Sequence, residues 1–248
     1  MEVALALAAL APGLAIGSFL NVVAARVPRR LSIVSPASSC PACSTPIAWY
    51  DNVPLVSYVL LRGRCRSCGW AIPWKYPAVE AATAILVSAS LARFGLTAHG
   101  FVAVLFCSVL VAVTVTDLEG RVIPNRIVLP AAAVVLAVRT AVDLGPEWAL
   151  AAVGASSFLL LAALAYPGGM GMGDVKLALL LGATLGRTVA VGLMIGFVAA
   201  LVPAVVLIAR HGSAARKMAV PFGPFLALGG VVALFAGNAI LTAYLHLH

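Results

Sequence analysis

The chain has 248 residues, 63% of them hydrophobic and 10% charged, with a mean hydropathy of +1.10. A water-soluble domain carries about 25% charged residues, so this composition excludes an ordinary soluble fold and fits a chain that crosses a membrane several times. The net charge of +8 does not call for nucleic acid, because the basic residues gather in two loops instead of along one amphipathic face.

The first apolar stretch runs from about Val3 to Ala25, with Arg26, Arg29 and Arg30 behind it and no basic residue before it. That asymmetry favours a retained anchor with its N-terminus outside over a secretory signal cleaved near Ala24-Ala25. A polar stretch at 26–76 follows, the one segment with room for a small region outside the membrane. It carries Arg62, Arg64, Arg66 and Lys75 besides the first three arginines, which places it in the cytoplasm.

Apolar runs then recur near 77–94, 98–116, 127–144, 147–166, 175–186, 188–209 and 219–245. With no alternating strand pattern these are expected to be helices, whose backbone groups pair within each segment. The fold expected is an all-α polytopic membrane protein of about eight transmembrane helices. Its three parts are an anchor (1–25), a cytoplasmic metal-binding insertion (26–76) and membrane helices (77–248).

The 175–186 run is the short one, since about 12 residues cover roughly 18 Å of a hydrocarbon core near 30 Å. Treating it as a crossing keeps Arg210, Arg216 and Lys217 inside. Small-xxx-small spacings at Gly13 and Gly17, and at Gly182 and Gly186, allow close helix approach.

Cys40-Pro-Ala-Cys43 and Cys65-Arg-Ser-Cys68 are two CxxC knuckles with 21 residues between them. Two tight turns supply the four thiolates that tetrahedral zinc takes, and with no open position the metal would be structural. Disulfides do not suit a cytoplasmic loop, and a redox CxxC needs one knuckle in a βαβ pattern. Cys107 lies within a span and reads as packing.

The chain has only eight acidic residues, so a carboxylate beside a span is costly and calls for a partner. Asp117 ends one apolar run, and Asp174 opens another after the Gly171-Met172-Gly173 stretch. Starting outside and alternating puts both on the cytoplasmic face. Two carboxylates sharing one proton can activate a water and protonate a carbonyl. Singly, each could be no more than a helix cap. Asp143 and Glu147 read as caps of an outer turn, Lys176 as a neighbour able to tune Asp174, and Glu80 as a carboxylate in need of a partner.

These elements together resemble the bacterial type IV prepilin peptidases, membrane aspartic proteases of the GxGD class. The likeness runs through Gly17-Ser18-Phe19-Leu20-Asn21, the knuckles with Asn52-Val53-Pro54 and Arg62-Gly63-Arg64, and Tyr76-Pro77-Ala78-Val79-Glu80. It continues through Asp117, Ile123-Pro124-Asn125, Gly171-Met172-Gly173-Asp174 and Pro221-Phe222-Gly223-Pro224. The resemblance implies cleavage of the basic leader of prepilins or pseudopilins at the cytoplasmic face of the inner membrane, with Asp117 and Asp174 as the catalytic pair. It also implies N-methylation of the new terminus from S-adenosylmethionine. No Gly-rich nucleotide fingerprint is present, so the methyl step rests on the resemblance alone. The other readings are a peptidase without methyl transfer and a polytopic transporter, which also uses rare carboxylates and broken helices.

Overall fold

A computed structural model describes residues 2–166, 169–212 and 220–246. Nine α-helices are found among them: α1 (Glu2–Arg26), α2 (Val56–Leu60), α3 (Lys75–Phe94), α4 (Ala98–Gly120), α5 (Asn125–Asp143), α6 (Glu147–Ala165), α7 (Met172–Leu185), α8 (Val189–His211) and α9 (Gly223–His246). Two isolated antiparallel bridges are the only extended pairing in these residues. The chain forms two compact units, Met1–Ala112 and Val113–His248, with α4 running from one into the other.

Seven segments are long and apolar enough to cross a membrane, one of them the 40-residue stretch Met172–His211. At 1.5 Å per residue that stretch would reach about 60 Å as a single helix, twice a hydrocarbon core. Instead Gly186 breaks it at φ +55 into α7, a 3₁₀ turn (Gly186–Thr188) and α8. A side chain is excluded at Gly186 for a second reason: a Cβ there would lie 2.7 Å from the Trp148 ring.

In the first unit α1 packs along α3. A Cβ on Gly13 would lie 2.7 Å from Ala84 Cα, and one on Gly17 2.6 Å from Glu80 Cα. The small-residue spacing in α1 therefore sets how closely the two helices approach. Between residues 27 and 78 only Cys40 and Ser57 are buried, so this stretch has almost no apolar core of its own.

In the second unit α7 is central, packed by α5, α6 and α9, with ten of its 14 residues buried. A helix wrapped by protein need not match the lipid thickness, which accounts for its shortness. Neighbouring helices fix the directions. Lys176 meets Asn125 near the starts of α7 and α5, and Arg139 reaches the Thr184 carbonyl near their ends, so these two run parallel. Ser156 of α6 donates to the Val175 carbonyl while Trp148, at the start of α6, abuts Gly186 just beyond the end of α7, so α6 runs antiparallel. Gly192 faces Ala233 and Gly196 faces Leu226, making α8 and α9 antiparallel as well.

Candidate active site and metal centre

Asp117 lies in the last turn of α4 and Asp174 in the first turn of α7, 6% and 7% exposed. The loops around them converge: a Cβ on Gly173 would lie 2.8 Å from Ile123 Cβ, so the chain just after Asp117 seats against the glycine just before Asp174. Asp117 lies within electrostatic reach of Asp174. The structure thus brings together the two carboxylates that the sequence singles out.

Each carboxylate is also held by one backbone N–H. Asp174 Oδ2 accepts from Gly171 at 3.2 Å, closing the first turn of its own helix. Asp117 Oδ2 accepts from Gly223 at 2.8 Å, the N–H of a residue 106 positions away at the start of α9. The helix-cap reading therefore describes part of Asp174's role, whereas Asp117 is fixed by a distant element. Gly223 carries no polar side chain and was legible only as a glycine between Phe222 and Pro224 at a helix start, where a proline is well tolerated.

Other acidic and basic residues also find partners. Lys176 donates to Asn125 Oδ1 at 3.0 Å, so its contact is with α5 instead of Asp174. Asp143 pairs with Arg139 at 3.2 Å, and that guanidinium also lies 4.2 Å from the centre of the Trp148 ring. Glu80 accepts the Leu55 N–H at 2.9 Å, which ties the start of α2 to α3. Cys107 is fully buried, with the Ser90 hydroxyl 3.7 Å away. Arg216 and Lys217 lie outside the described residues, as do Pro167 and Gly168.

The two CxxC knuckles have the same local build. In the first, Cys40 N–H bonds Thr45 O and Ser44 N–H bonds Cys40 O; in the second, Cys65 N–H bonds Trp70 O and Gly69 N–H bonds Cys65 O. The residue after each CxxC takes a positive φ, +57 at Ser44 and +71 at Gly69. Each turn is closed by one antiparallel bridge, Ser39 with Pro46 and Arg64 with Ala71.

All four sulfurs lie within 4.8 Å of one another, with Cys40 3.8 Å from Cys68 and Cys43 4.0 Å from Cys65. A tetrahedron with metal–sulfur bonds of about 2.3 Å spaces its sulfurs by about 3.8 Å, so the cluster fits a four-thiolate metal. The Thr45 hydroxyl and backbone N–H beside Cys43 hold its thiol down to about 6. Cys68 is pushed up to about 12: the Trp70 backbone N–H acts against this, but desolvation and the neighbouring thiols outweigh it. Four thiols this close cannot all ionise without a cation among them.

The fold and these two sites define a polytopic helical membrane protein with a paired-carboxylate site and a four-thiol centre. The chain belongs to the type IV leader peptidase family, which residues 104–209 match, while residues 12–94 match the Bacterial Peptidase A24 N-terminal domain. A relative from Bacillus subtilis is 36% identical over 244 residues, covering 94% of this chain and 95% of its own. Relatives from Xanthomonas campestris and Pseudomonas aeruginosa are 34% and 32% identical, each over 94% of this chain and over 92% and 91% of their own. All three bear the name prepilin leader peptidase/N-methyltransferase. No solved structure matches.

Proposed function

We propose that this chain cleaves the basic leader from type IV prepilins or pseudopilins at the cytoplasmic face of a bacterial inner membrane, then methylates the new N-terminus. The observation that carries the reading is the burial of Asp117 and Asp174 together at adjoining helix ends. Membership in the leader peptidase family and the names of the relatives supply the substrate class.

In the cleavage step the two carboxylates share one proton. The ionised member takes a proton from water as the oxygen attacks the scissile carbonyl carbon, and the protonated member gives its proton to the carbonyl oxygen. Collapse of the resulting diol breaks the C–N bond, and the departing amine takes up the proton held by the first carboxylate. Burial keeps bulk water from competing, and the N–H groups of Gly171 and Gly223 fix where the carboxylates point.

S-adenosylmethionine supplies the methyl group when bound: the free amine bonds to the methyl carbon, the C–S electron pair stays on sulfur, and the charge gained by nitrogen leaves as a proton. Zinc at Cys40, Cys43, Cys65 and Cys68 holds the 26–76 region together, in place of the apolar core that it lacks.

The test is mass spectrometry of a prepilin co-expressed with this protein, which reads leader loss and a methyl increment in one measurement. Asp117→Asn or Asp174→Asn is expected to lower cleavage by about 10²–10⁴-fold with the protein still folded in the membrane. Cleavage at the unaltered rate in either variant would refute the assignment.

A further inference from the structure

A cavity of about 360 Å3 lies wholly inside the first unit, lined by α1, the start of α3 and both knuckles. Small-molecule sites span roughly 300–1,000 Å3, and this volume, at the lower end, suits a nucleoside that carries an amino-acid chain. The walls are polar at the helix ends, through Asn21 and Glu80, and aromatic elsewhere, through Tyr58 and Trp70.

Two carboxylates line the cavity, and their partners differ. Asp51 is engaged by Arg66, whose Nε and Nη2 approach it to 2.8 and 2.6 Å and hold it below the usual carboxylate range. Glu80 is 9% exposed, and among the described residues it bonds Leu55 N–H and the Ser18 hydroxyl without any cationic partner. A carboxylate so placed at a membrane helix is costly unless a cation meets it. It stands in the wall of a cavity of ligand size.

We infer that this cavity is the binding site for the methyl donor, with Glu80 as the counter-charge to the cationic sulfonium end and the Tyr58 and Trp70 faces available to the purine. The assignment rests on the methyl-transfer reading above and adds to it the site and the charged residue. Aromatic faces accept a purine through stacking without any fingerprint loop, which is how a donor site can exist in a chain with no Gly-rich motif. Because the knuckles form part of the wall, the metal shapes the same pocket.

The experiment uses the full chain in lipid nanodiscs and measures binding of S-adenosylmethionine and of its neutral thioether product, S-adenosylhomocysteine, by calorimetry. Glu80→Gln keeps an oxygen for the Leu55 N–H and removes the charge. Affinity for the sulfonium compound is expected to fall tenfold or more and that for the thioether less than threefold, with zinc content and melting temperature unchanged. An azido-adenine analogue of the donor should cross-link within residues 18–80.

Equal loss of both ligands, or loss accompanied by zinc release, would make Glu80 a structural residue and overturn the charge assignment. Full affinity in the variant with cross-links elsewhere would overturn the site while leaving methyl transfer standing. A wild-type protein that binds no donor and adds no methyl mass to prepilin would remove the methyl reading and this site together. Protection of the cavity by leader peptide, with the donor bound elsewhere, would reassign it to the substrate.

Discussion

Gly223 touches the acid pair through its backbone alone. Its N–H reaches Asp117 Oδ2 at 2.8 Å, and a Cβ added there would lie 2.8 Å from the same oxygen. Gly223→Ala must therefore move the carboxylate, the helix start or both. Displacements near 1 Å cost about 100-fold in rate, so prepilin cleavage is expected to fall by about that factor while zinc content stays the same. A cleavage assay on the purified variant checks it, and wild-type turnover would show that this contact does not position Asp117.

The thiol cluster carries its own prediction at the same scale. With Cys43 near 6 and Cys68 near 12, the metal-free site at pH 7.5 holds a thiolate at the first position and a neutral thiol at the second. Zinc must expel the Cys68 proton on entry, so uptake should strengthen as pH rises from 6 to 8 and release at least one proton per metal. Calorimetry in two buffers of different ionisation enthalpy measures that release; an identical heat in both would contradict it.

Among the elements, packing between α1 and α3 depends on two glycines with no room for a side chain. Gly17→Val would press on the Glu80 backbone and Thr83 and should destabilise the protein by about 1–3 kcal/mol, the usual cost of overpacking. Gly154 is the control: nothing lies within 4 Å of a Cβ added there, so Gly154→Ala should melt at or slightly above the wild-type temperature. Thermal unfolding in detergent compares the two.

The helices were legible because hydrophobic runs in a membrane protein are long and bounded by charge. The run at 127–144 became Asn125–Asp143, and that at 147–166 became Glu147–Ala165. Asp117 and Asp174 were legible because carboxylates are scarce here, and the knuckles because paired CxxC spacing is specific. The hold of Gly223 on Asp117 was not, since a backbone donor carries no side-chain signature and acts across 106 residues. The match of Leu55 N–H to Glu80 was hidden in the same way. Lys176 was misplaced because adjacency in sequence on a helix does not fix side-chain direction: it points to α5.

For the molecule as a whole, the open question is whether α7 crosses. Its 14 residues cover about 21 Å, short for lipid, yet it runs parallel to α5 and antiparallel to α6, the directions that strict alternation requires. A re-entrant α7 would also turn α8 over and bring Arg210 to the outer face, against the positive-inside rule. The turn at Arg187, which is exposed, should therefore face outward together with Leu144. A membrane-impermeant maleimide applied to intact cells with a permeable outer envelope is expected to label Arg187→Cys and Leu144→Cys, and to label Glu119→Cys only after the inner membrane is opened. If Arg187→Cys behaves like Glu119→Cys, α7 returns to the inner face, α8 and α9 invert, and the seven-segment count becomes the true number of crossings.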